Sequence, residues 1–146
     1  MSVVLASAAV HMAPPALQAI RREAARAYPR EGCGALLGPE PGHVRETLPL
    51  RNSEAERGRT RFTVSPLDYL ATEEAAEARG FRLLGFWHSH PDHPARPSPT
   101  DREYAWEGLL TVVIAVAEGQ PDEITAWDVP GPEQPFRRRE LVLAPE

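Results

Sequence analysis

Lysine is missing from this chain, and all 16 of its Lys/Arg positions are arginine. Schiff-base chemistry and the lysine-dependent P-loop are thereby excluded, because both need the ε-amine. Cysteine is almost missing, with Cys33 alone, so neither an internal disulfide nor a thiolate metal cluster can form. Cys33 reads as a small residue packed near a turn. Long apolar runs are lacking too: the longest, Leu109 to Ala117, falls far short of the roughly 20 residues of a membrane helix. The first residues, Met1-Ser2-Val3-Val4-Leu5-Ala6, carry no Lys or Arg, unlike the start of a secretory signal. The expectation is a cytoplasmic protein with no membrane partner. A basic stripe with interleaved aromatics is also missing. With a net charge of −5, nucleic acid is not an expected partner. The one basic run, Arg137-Arg138-Arg139, reads as the solvated part of a late strand.

What is present fits an ordinary globular protein. A chain of 146 residues, 42% hydrophobic and 25% charged, predicts a single domain over 1–146 with a real core. Ser2 to Met12 reads as a strand. Pro14-Pro15 then opens a helix in which Leu17, Ile20, Ala24 and Ala27 make one apolar face, ended by Tyr28-Pro29. Glu31 precedes a short small-residue strand to Gly38, and Val44 to Leu50 returns as its partner. Asn52 to Arg61 is polar and aperiodic, and reads as a mobile loop. Ser65-Pro66-Leu67-Asp68 caps a helix from Pro66 to Arg79, closed by Gly80. A strand from Phe81 to Trp87 follows, then a helix from Ser98 through Trp106, a buried central strand from Leu109 to Ala117, and antiparallel strands at Glu123 to Val129 and Phe136 to Leu143. This order predicts an α/β (α+β) protein with one mixed sheet flanked by helices.

The strand from Phe81 runs straight into His88-Ser89-His90-Pro91, and a proline-rich loop leads on to Ser98-Pro99-Thr100-Asp101. Residues i and i+2 of a strand project from one face, so both imidazoles can reach one ion. Asp101 adds an oxygen donor from a second element and leaves a fourth tetrahedral position for water, which is the composition of a catalytic zinc site. Ser98 to Asp101 is also a helix-capping pattern, and an acid there sits at the positive end of the helix dipole. His88-Ser89-His90-Pro91-Asp92-His93 equally fits the His-x-His-x-Asp-His pattern of metallo-β-lactamase-like hydrolases, with His93 as third ligand. That family needs further histidines downstream, and none follows His93. Nucleobase deaminases need Pro-Cys-x-x-Cys, which one cysteine excludes. His11 and His43 have no assigned role.

These residues resemble the JAMM, or MPN-plus, zinc metallopeptidases. The pattern of that family is an upstream Glu, His-Ser/Thr-His-Pro, a Ser after seven residues and an Asp three beyond it. Glu31, His88, Ser89, His90, Pro91, Ser98 and Asp101 fill it at the right spacing. The strand Glu31 to Gly38, Asn52, and Phe62 to Pro66 are similar to its compact bacterial members as well. The resemblance implies a cytidine-deaminase-like three-layer architecture, one Zn2+ held by His88, His90 and Asp101, Glu31 as general base and Ser98 as support for the oxyanion. It further implies hydrolysis of an amide bond at the C-terminal Gly-Gly tail of a ubiquitin-like sulfur-carrier protein, the tail lying along a strand edge. The opposing class is a non-enzymatic MPN-type interaction module, which generally lacks the full ligand set. Homo-oligomer formation is left open by the sequence.

Overall fold

Pro14 and Pro15 start a helix where their missing N–H groups cost nothing, and the first helix, α1, spans Pro14–Ala27. Its apolar stripe is buried through Ala16, Ile20 and Ala24, with Leu17 packed beside them. Tyr28, placed before Pro29, closes it with its N–H on the Ala24 carbonyl. A strand, β1 (Val10–Met12), precedes α1. The computed structural model describes residues 9–51, 64–99, 101, 105–131 and 134–145. The first part of the expected strand from Ser2, the loop from Asn52 to Arg61, and Phe62 lie outside the described residues.

Among the described residues, six strands make the main sheet. Its strands are β2 (Cys33–Gly38), β4 (Glu46–Leu50), β5 (Arg82–Pro91), β6 (Leu110–Ala117), β7 (Gln120–Asp128) and β8 (Arg137–Arg139), in the order β4-β2-β5-β6-β7-β8. All neighbours are antiparallel except β5 and β6, which run parallel. A parallel pair needs a crossover connection, and the crossover from Asp92 to Leu109 carries Ser98 and Asp101. The continuous apolar run of β6 is covered on both faces, as expected. Val112, Ile114 and Val116 pack with Ile20 and Ala24 of α1, whereas Val113 and Ala115 pack on the opposite face with Ala95. A second helix, α2 (Pro66–Ala78), lies on that opposite face, where Ala76 joins Ala35, Leu37 and Phe86. Its expected cap is present, with the Asp68 N–H donating to Ser65 Oγ at 3.1 Å.

The structure carries the strand expected from Phe81 to Trp87 on through Pro91, starts the one expected at Glu123 at Gln120, and corrects three further readings. Val44 to Leu50 is two elements: β3 (His43–Val44) pairs in parallel with β1, while β4 pairs with β2. Phe136 to Leu143 divides likewise, into β8 in the main sheet and β9 (Leu141–Leu143) beside β1. The outcome is a mixed main sheet between helices, as expected, plus a second sheet of order β3-β1-β9. Strand-forming composition does not say which neighbour a segment will pair with. The helix expected through Trp106 is helical at Pro99 and Asp101 but not at Ala105 or Trp106. There the indole packs on Tyr69, ring centroids 4.5 Å apart, and the chain turns at Gly108.

Close packing of β2 on β5 depends on small residues. A β-carbon on Gly34 would collide with the Trp87 indole and the Leu48 carbonyl. Farther along, Leu36 pairs with Gly85 and Leu37 with Leu83, so β5 bulges at Leu84. The bulge changes the phase of the strand: Leu84 and Trp87 face α1, whereas Phe86 faces α2. His88 and His90 follow Phe86 in alternation and open on the α2 side.

Candidate metal centre

The C-terminal end of β5 delivers two imidazoles to one point. His88 and His90 are 2% and 8% exposed, and their Nε2 atoms stand 3.2 Å apart. Asp101 enters from the crossover, with Oδ1 3.1 Å from His88 Nε2 and Oδ2 3.0 Å from His90 Nε2. Donors about 2.0–2.1 Å from one tetrahedral ion are about 3.3 Å from each other, so these separations suit groups that share a small cation. Glu31, 5% exposed and two residues before β2, completes the group: one ligand atom from each of Glu31, His88, His90 and Asp101 lies within 4.8 Å of the others. Two imidazoles and two carboxylates without any thiolate form a donor set that can hold a metal ion of the zinc type.

Surrounding hydrogen bonds aim the donors. His90 Nδ1 is 2.8 Å from the Pro94 carbonyl, which can only accept, so Nδ1 carries the proton and Nε2 presents its lone pair to the centre. The Ser98 N–H donates to Asp101 Oδ2 at 2.7 Å, and the Asp101 N–H donates back to Ser98 Oγ at 3.1 Å. This reciprocal cap fixes the carboxylate and still leaves the Ser98 hydroxyl proton available as a donor. Burial opposes the charge on Asp101, but His88, His90 and the Ser98 N–H outweigh it and hold the carboxyl well below the usual carboxylate range. For His90, burial works against the charged ring, and Asp101 overcomes it and raises the pKa. The carboxylate is therefore already in the ionised form that binds a cation.

Sequence reasoning singled out every member of the group and missed what holds Glu31. Ser89 is fully buried and projects away from the two histidines. Its Oγ accepts the Gly32 N–H at 2.8 Å, and its own N–H donates to the Gly32 carbonyl at 3.0 Å. The residue next to Glu31 is thus clamped to the one between the histidines. The motif contained this signal as a hydroxyl between two ligands, but the partner depends on how β2 pairs with β5. His93, the third ligand of the rival reading, is exposed and outside the group. Cys33 is buried, and burial, then the charges of Glu31 and Asp68, push its thiol up to about 12, as expected for an inert packing residue.

The centre opens into a cleft of about 350 Å³ lined by Glu31, His90, Pro94, Arg96, Ser98 and Asp101 among others. Behind His88 and Asp101 is a tight apolar recess with Val64, Phe86, Trp106 and Leu109. No helix among the described residues is long and apolar enough to cross a membrane.

Residues 13–130 match the family described as prokaryotic homologs of the JAB domain. The chain is 36% identical over 129 residues to the desampylase of Haloferax volcanii, covering 86% of each protein. It is also 36% identical over 91 residues to a probable TtuB-protein conjugate cleaving protease of Thermus thermophilus, covering 62% of this chain and 60% of that one. Among solved structures it resembles the JAB1/MPN domain protein AF2198 of Archaeoglobus fulgidus, with a TM-score of 0.63 at 18% identity over 95% of this chain and 100% of that one.

Proposed function

This chain belongs to the prokaryotic JAB-domain family, and from that premise we propose that it is a zinc peptidase or isopeptidase. Its substrate is the C-terminal Gly-Gly tail of a ubiquitin-like sulfur-carrier protein. The observation that carries the reading is the convergence of Glu31, His88, His90 and Asp101 within 4.8 Å, at the inner end of an open cleft. His88, His90 and Asp101 would hold the ion, their donor atoms standing 3.0–3.2 Å from one another. The chemistry a zinc ion would supply there is Lewis acidity toward the scissile carbonyl and toward a water.

Glu31 takes the proton of the attacking water and passes it to the leaving amine. Its position beside Gly32, clamped through Ser89, keeps the carboxylate on the wall of the cleft. Ser98 donates its free hydroxyl proton to the oxygen that becomes negative as the carbonyl turns tetrahedral. Two glycines bring no side chains, so they can thread a cleft walled by Pro91, Pro94 and His93 in extended form. Relatives named for cleaving such conjugates support the substrate class.

The test is metal content together with hydrolysis. Purified protein is expected to carry one zinc per chain and to cut a sulfur-carrier protein extended beyond its Gly-Gly end, as followed by mass spectrometry. His88→Ala/His90→Ala is expected to lose both properties while circular dichroism shows a folded chain. Undiminished zinc in that variant would overturn the ligand assignment, and a zinc-loaded protein that cuts no extended carrier would point to the interaction-module class.

A further inference from the structure

One charged group on the cleft has no part in the chemistry above. Arg96 lines the same space as Glu31, His90, Ser98 and Asp101. Among the described residues its guanidinium has no carboxylate partner, although the chain has 21 acids against 16 bases. Nor is Arg96 on a loose segment. Ala95 before it is fully buried, and the Ala95 carbonyl accepts from Thr125 Oγ1 at 2.6 Å, which ties the loop to β7. The Pro94 carbonyl accepts the Arg96 N–H at 2.8 Å and faces His90 Nδ1 at 2.8 Å. Pro97 restricts the backbone on the other side. One carbonyl therefore links the arginine to a metal-binding histidine, and the backbone from which the guanidinium extends is set relative to the reacting centre.

We propose that Arg96 forms a carboxylate subsite on the leaving-group side of the cleft, and that the preferred substrate is a Gly-Gly tail extended by a single amino acid with a free α-carboxylate. This inference rests on the peptidase reading. A Gly-Gly tail brings no charge to the cleft. The fixed anion that a peptide substrate can place beside its scissile bond is a terminal carboxylate one residue beyond it. Guanidinium matches carboxylate with two parallel N–H···O bonds. A protein joined through a lysine side chain offers no such group, since its α-carboxyl is tied up in the backbone. In the reaction, the oxygen of water bonds to the terminal glycyl carbon while the C–N bond breaks. The released amino acid takes up the proton on its nitrogen and keeps its carboxylate on Arg96.

The experiment compares three substrates for the zinc-loaded protein: a sulfur-carrier protein ending in Gly-Gly-Ala as the free acid, the same protein as the C-terminal amide, and a Gly-Gly isopeptide to a lysine side chain. The free acid is expected to show kcat/KM on the order of tenfold above the amide, the scale of one charge-assisted contact. Arg96→Gln is expected to remove that preference and to leave the amide and isopeptide rates and the zinc content unchanged, with Arg96→Lys intermediate. Equal cleavage of acid and amide by the wild type would overturn the subsite while leaving the peptidase reading intact. So would an Arg96→Gln variant that slows all three substrates alike. Failure to cut any of the three would overturn the peptidase reading and this inference with it.

Discussion

Ser89 and Glu31 offer a test that separates the proposed chemistry from metal binding. Removing the Ser89 hydroxyl leaves the Gly32 N–H without its acceptor, at a typical cost of about 1–3 kcal/mol, and frees the backbone beside Glu31. Ser89→Ala is therefore expected to keep its zinc, since both histidines face the other way, and to lose kcat with little change in KM. Ser89→Thr, which restores the hydroxyl, is expected to recover most of the rate. A variant with lower thermal stability but normal turnover would reduce the clamp to a structural bond. Glu31→Gln keeps the shape and removes the proton acceptor, so turnover should fall about a hundred- to ten-thousandfold with zinc and carrier binding retained. Loss of zinc in Glu31→Gln, measured by elemental analysis, would make Glu31 a ligand instead. The histidine pair was legible because it needs only the two-residue repeat of a strand. The clamp was not, because it joins residues 57 apart in sequence through strand pairing.

At the scale of elements, the two Ser-Pro-x-Asp caps behave alike and were legible from local chemistry: each Ser Oγ accepts the N–H of the Asp three residues on, at 3.1 Å. The second cap differs in that its Asp also reaches the metal centre. Ser98→Ala is expected to lose about 1 kcal/mol of stability and, through the oxyanion, roughly a hundredfold or more in kcat. Ser65→Ala should show the stability loss alone, so thermal melts and kinetics on the pair separate capping from catalysis. Equal and near-normal turnover in both variants would leave Ser98 with only its cap. Segments that split were less legible. Arg45 lies between β3 and β4 and donates its N–H to the Leu37 carbonyl, and Glu140 lies between β8 and β9 and accepts from Val10. Each hinge residue is fixed by a partner far away in the chain, so the residues on either side read as one continuous strand.

For the whole molecule, the donor set ties metal to stability. Its four members come from the segment leading into β2, from β5 and from the crossover, and assemble only in the folded chain, so a bound ion favours folding. Chelation is expected to lower the melting temperature. At free zinc one hundred times Kd the bound state gains about 2.7 kcal/mol, which for a chain of this size is about 5–10 °C. Identical melting curves with and without chelator would mean that the site holds no ion of consequence. Local sequence was enough for the identity and spacing of the donors, the proline starts of α1 and α2, the Ser65 cap of α2 and the central buried strand, because periodicity, capping and proline act over a few residues. The rest came from long-range pairing. The bulge at Leu84 turned the histidines toward α2 rather than α1, the pairing of β2 with β5 brought Glu31 to a group far along the chain, and a second sheet collected β3, β1 and β9. These outcomes follow from which backbone groups find partners across the fold, and neighbouring residues cannot encode that choice.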